Sequence, residues 1–147
     1  NKEMETLTVK SQVKYQLIDI TDKVADVISK SAIKSGIILV YVPHTTAGIV
    51  CNEDEARLKS DILKVPQAVE KHSDIFGGFE HDRDEGRPAG EAGNAHAHIA
   101  SALSGSSRCF IIEEGELQLG TWQSIMFLEM DGPRSRQVWV KIIPYHL

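Results

Sequence analysis

The sequence predicts a single α+β domain over residues 1–147. Alternating or continuous apolar runs dominate both ends, helical periodicity dominates the middle, and no strand-helix-strand repeat or linker divides the chain. A length of 147 residues suits one domain and would leave two undersized. With 41% hydrophobic and 25% charged residues, the composition is that of a chain that buries a core.

Thr6 to Ile20 contains the alternations Leu7, Val9 and Val13, Tyr15, Leu17, which predict one or two half-buried antiparallel strands. Val24, Val27, Ile28 and Ala32 follow at helical spacing, with Thr21 placed to cap the start and Gly36 placed to end the helix. Ile37 to Val42 is a continuous β-rich run, read as a central strand covered on both faces and stopped by Pro43. Ala47 to Cys51 reads as a further strand. Asn52 then opens an acidic turn ahead of Leu58, Ile62 and Leu63, which predicts a second helix. From Phe76 to Gly93 no periodicity is visible, and a glycine-rich, charged loop of that length in a small domain is either functional or disordered. Asn94 is placed to cap a third helix through Leu103. The remainder reads as a meander: Cys109 to Ile112, Leu117 to Leu119, Gln123 to Met130 and Gln137 to Ile143, with turns at Glu113-Glu114-Gly115 and Asp131-Gly132-Pro133.

Composition excludes several classes of function. A net charge of −5 opposes the attraction to phosphate that nucleic-acid binding needs. Ile37 to Val42 falls far short of the roughly 20 apolar residues that cross a bilayer, and the first residues lack a basic-then-apolar leader pattern, so the expectation is a soluble cytoplasmic protein without a membrane partner. Cys51 and Cys109 form no CxxC and read as buried free thiols.

Six histidines are the main chemical asset: His44, His72, His81, His96, His98 and His146. Imidazole is a common zinc ligand, and three neutral imidazoles leave a position open for water or substrate. On a helix, His96 and His98 project roughly 200° apart and cannot share an ion, and the apolar stripe does not choose between them. His44 reads equally as a ligand at a strand end or as a turn residue. His81, between Glu80 and Asp82, reads as a solvated loop residue, and His72 and His146 read as surface residues. Asn52 and Glu53 read as helix-capping or as site residues. Arg134 and Arg136 read as solvated or as a forked grip on an anion. Gly120-Thr121-Trp122-Gln123 reads as a core bulge or as a pocket wall.

PHTTAGIVCNEDE (43–55), FEHD (79–82), NAHAHIASALSG (94–105), LGTWQSI (119–125) and DGPRSR (131–136), taken together and in this order, resemble the YjbQ-like family. That resemblance implies a two-layer, sandwich-like arrangement of mostly antiparallel strands with three short helices, assembled as a homotrimer. It also implies a metal-compatible histidine cluster and a secondary thiamine-phosphate synthase activity. Carried over residue by residue, it implies His44, His81 and His98 as ligands of zinc or another divalent metal, with Glu53 and Asp82 catalytic. Thr45, Asn52, Trp122, Gln123 and Arg136 would contact a phosphorylated small-molecule substrate. The expected function is metal-dependent chemistry on that substrate. The alternatives are a metal-dependent phosphoester hydrolase and a non-catalytic trimeric metal- or metabolite-binding protein.

Overall fold

The computed structural model describes residues 4–83, 85–90 and 92–146. Its strands, in chain order, are β1 (Glu5–Lys10), β2 (Gln16–Asp19), β3 (Gly36–Tyr41), β4 (Ala47–Asn52), β5 (Ser107–Glu113), β6 (Glu116–Gln118), β7 (Ser124–Glu129) and β8 (Ser135–Pro144). The helices are α1 (Thr21–Lys30), α2 (Ala56–Lys71) and α3 (Ala95–Ser104), and two short 3-10 turns, Ser73–Phe76 and Glu80–Asp82, lie in the loop before α3.

The strands form two antiparallel sheets, one in the order β1-β8-β3-β5-β6 and one in the order β2-β7-β4. Alternation explains the layering. Ile38, Val40, Val138 and Val140 point from the first sheet into a core that they share with Ile49, Ile125 and Phe127 of the second, and Val24 and Ile28 of α1 join them. The opposite face of the second sheet carries Leu17, Met126 and Leu128, which pack on Ala97 of α3 and on Ile62 and Leu63 of α2. The α+β class and the mostly antiparallel strands are as the sequence predicts.

Several local expectations are corrected. Thr21 does not cap α1. It is the first helical residue, and the Asp19 carboxylate accepts its backbone N–H at 2.9 Å. α1 ends at Lys30, and Gly36 instead opens β3, where a Cβ would collide with the Ile143 carbonyl. α2 starts three residues after the acidic turn begins, because Glu55 accepts from the Leu58 N–H at 2.6 Å while the Asn52 side chain turns back to the Glu53 N–H. β3 is central in its sheet, but Ile37 and Tyr41 are exposed, so its outer face is not covered within the chain. Cys109 is exposed and Cys51 half-buried, so neither thiol is fully buried.

Candidate functional site

β3 delivers the chain to Pro43 and His44 beside the start of β4, and α3 runs back over β4. Gly48 permits that approach: a Cβ there would stand 2.6 Å from Ser104 Oγ of α3. Ser101 ties the two elements together by donating its hydroxyl to the Ala47 carbonyl at 2.6 Å. Between them opens a cleft of about 580 Å³, a size suited to a small molecule, lined by Tyr41, Pro43, His44, Thr45, His98, Ala102 and Trp139. Tyr41 and Trp139 stack at 5.8 Å and form an aromatic wall. A larger concavity of about 710 Å³ lies between α1 and β8, but among its lining residues no two imidazoles stand together.

His44 and His98 therefore share one cleft, and the His81 ring meets the His98 ring edge-on at 4.8 Å. The helical ambiguity resolves by burial. His98 is half-buried at the cleft, whereas His96 is 2% exposed on the opposite side of α3, among Tyr15 and Glu70. His96 Nε2 comes within 2.8 Å of Glu70 Oε2 but off the line that a hydrogen bond requires. Glu70 in turn accepts from Tyr15 Oη and from Lys14 Nζ.

Electrostatics fix the state of His44. Burial pushes its pKa down, and the neighbouring Arg136 and Arg134 charges add to this. The Gln137 N–H donates to His44 Nε2 at 2.9 Å, so the neutral ring carries its proton on Nδ1 and offers a donor there.

Asp82 sits below α3. Its Oδ1 accepts the Ala95 N–H at 2.9 Å, and a Cβ on Gly93 would press into the same carboxylate. Asp82 thus caps the helix that carries His98. Asn94, expected to be the cap, makes no side-chain cap bond and instead bridges His81 and Asp131.

Arg136, expected to grip an anion, is only 5% exposed. Its Nε and Nη2 donate to both carboxylate oxygens of Glu129 at 2.9 and 2.5 Å, and Nη2 also donates to Thr46 Oγ1. The pair joins β8 of one sheet to β7 of the other, next to His44. Glu129 is fully buried. Burial alone would raise its pKa, but the Arg136 and Ser11 hydrogen bonds hold it below the ordinary carboxylate value.

Asn52, Glu53, Trp122 and Gln123 do not join the cleft. Asn52 pairs with Ser124 at the far end of β4, whereas Ala47, beside His44, pairs with Glu129. Five residue steps at ~3.3 Å put roughly 17 Å between the two ends. Trp122 there is 72% exposed, and Gln123 Oε1 accepts from the nearby Gly120 N–H at 2.8 Å. Among the described residues, no group of three His, Cys, Asp or Glu side chains stands close enough to hold an ion. The three histidines therefore do not fit one metal within a single chain, and the His81 and His98 pair is the part that converges.

Acidification should weaken the fold in two stages. His44 and His96 have lowered pKa values, each chiefly through burial. Their contribution is complete above the ordinary histidine value of 6.5 and is lost as pH falls through the lowered values. Glu129 and Glu70 are lowered carboxylates despite burial, so theirs is complete above 4.5 and is lost as pH falls through their folded values. Urea midpoints measured across this range test the expectation, and a flat profile down to the carboxylate range would contradict it.

The comparisons with known proteins agree with one another. A family model for UPF0047 protein YjbQ-like matches residues 5–145. A UPF0047 protein of Archaeoglobus fulgidus is 42% identical over 137 residues, covering 93% of this chain and 98% of its own length. UPF0047 protein YugU of Bacillus subtilis is 38% identical over 141 residues, covering 95% and 98%. Among solved structures, a hypothetical protein of Aeropyrum pernix superposes with a TM-score of 0.85 at 38% identity, covering 97% of this chain and 99% of that one. A YjbQ/UPF0047-family protein of Clostridium acetobutylicum does so with a TM-score of 0.78 at 40% identity, covering 95% and 99%.

Proposed function

The chain belongs to the YjbQ-like UPF0047 family, and from that premise and the histidine cleft we propose that it is an enzyme acting on a phosphorylated small molecule. The observation that carries this reading is the convergence of His44 and His98 on one cleft, with His81 packed against His98. His44 supplies an Nδ1–H donor to an oxygen that gains negative charge, and His98 or His81 moves the proton. The Arg136 and Arg134 charges act against protonation of His44, offset in part by Glu129, so the ring meets an anionic group as a neutral hydrogen-bond donor.

The reactions to assay are formation of thiamine phosphate from a pyrimidine diphosphate and a thiazole phosphate, and hydrolysis of phosphoesters. Turnover of either kind supports the reading. Binding of such compounds without turnover would replace it with a metabolite-binding role.

A zinc-dependent version rests on the contact between His81 and His98. These two would hold the ion, which would supply Lewis acidity. Elemental analysis tests it: about one zinc per chain, lost in His98→Ala, supports it, and a metal-free protein after zinc addition removes it.

The outer face of the five-stranded sheet supports assembly as a homotrimer. Ile37 pairs across to Ile111 and Ile143, Tyr41 pairs with Trp139, and these side chains stand at least partly exposed on one face. Ile111→Lys should therefore lower the mass measured by light scattering to that of one chain, while a wild type already of that mass would remove the trimer. Among the described residues, no helix is long and apolar enough to cross a membrane. Two unpaired cysteines suit a reducing, cytoplasmic setting.

A further inference from the structure

His81 hangs in an exposed stretch, yet its ring is not held by chance. Arg134 donates from Nε to the Asp131 carbonyl at 2.7 Å and from Nη2 to Asp131 Oδ2 at 3.0 Å. The same carboxylate oxygen accepts from Asn94 Nδ2 at 3.0 Å. A carboxylate has only acceptors, so the amide edge that faces Asp131 must be the NH2 edge, and the opposite edge, Oδ1, faces His81. Oδ1 has no proton to give. The 3.2 Å contact between His81 Nε2 and Asn94 Oδ1 is therefore a hydrogen bond only if Nε2 carries the proton.

We infer that Arg134, Asp131 and Asn94 are positioning residues that hold neutral His81 as its Nε2–H tautomer, leaving Nδ1 as its basic nitrogen. This rests on the histidine site proposed above. It also sets His81 apart from His44, whose Nε2 accepts from the Gln137 N–H and whose proton is on Nδ1. The chain thus keeps two imidazoles in opposite tautomers, one a donor through Nδ1 and one a base through Nδ1. The DGPR turn after β7 supplies the anchor, and Asn94 serves the histidine in place of capping its own helix.

The test is long-range proton–nitrogen correlation of the imidazoles in 15N-labelled full-length protein at about pH 8, above the ordinary histidine range. His81 is assigned by the signal missing from His81→Gln. The expected result is one His81 tautomer, protonated at Nε2. Asp131→Ala, which removes a residue bonded to Asn94 and not to His81, should turn that into a mixture of tautomers while His44 stays protonated on Nδ1. Should Asp131→Ala lose the His44 signal through misfolding, Arg134→Gln loosens the same anchor from its exposed end and should mix the His81 tautomers as well. An Nδ1-protonated His81 in the wild type overturns the inference, as does a single unchanged tautomer in the folded variant. The readout needs no substrate. A fixed tautomer in an inactive protein would leave this inference standing and remove the enzymatic reading, and a mixed tautomer in an active protein would do the reverse.

Discussion

Arg136→Met should destabilise the fold by about 3–5 kcal/mol, the range for removing one partner of a buried ion pair. The side chain of similar length keeps most of the packing, so the loss comes from Glu129, which stays fully buried without its counter-charge. Ser11 Oγ at 2.6 Å and the backbone N–H groups of Met130 and Asp131 would still donate to that carboxylate, and they keep the cost from rising further. The double variant Arg136→Met with Glu129→Leu should recover part of the loss, because an apolar pair of similar volume avoids the desolvation of two charges but leaves the Ser11 hydroxyl and the Met130 and Asp131 N–H groups without their acceptor. Urea unfolding of both variants decides the matter. A single variant that unfolds like the wild type, or a double variant no better than the single one, would show that the pair is not the buried joint between β7 and β8 described here.

That joint was legible in the sequence in a form that is easy to pass over. Glu129 interrupts the apolar run Ile125 to Met130, and a lone acid in a buried strand calls for a buried base. Arg136 instead read as one of two arginines beside a turn, because only the antiparallel return of β8 brings it opposite Glu129. Local periodicity identified α1 and the late strands, since those signals lie within a few residues of each other. It could not show that β1 and β2 enter different sheets, because that pairing is made with β8 and β7, more than a hundred positions away. The separation of Asn52 and Glu53 from His44 was within reach: once Ala47 to Cys51 reads as a strand, rise per residue alone puts its flanks at opposite ends. The compactness of the sequence motif concealed this. Asn94 and Asp131 carried no signal beyond capping and turn formation, because their role exists only where the loop before α3 meets the turn after β7.

For an enzyme working through these imidazoles, His98→Ala should lower kcat/KM by about 10²–10⁴-fold, the usual contribution of a positioned acid–base group, with little change in urea midpoint because the ring lines a cleft. His96→Gln is the matched control on the same helix. Its ring is buried beside Glu70 and Tyr15, so the variant should lose stability and keep its turnover per folded molecule. A protein in which His96→Gln abolishes turnover and His98→Ala does not would have its chemistry on the wrong face of α3 for the cleft described. Glu53→Gln extends the test to the geometry of the assembly. Within one chain Glu53 lies just past the far end of β4, a strand whose two ends stand roughly 17 Å apart with His44 beyond the other end, so for a site confined to one subunit this substitution leaves turnover intact. Loss of turnover in Glu53→Gln with the fold unchanged would mean that the far end of β4 from a second copy completes the cleft, because no rearrangement of a paired six-residue strand brings its two ends together.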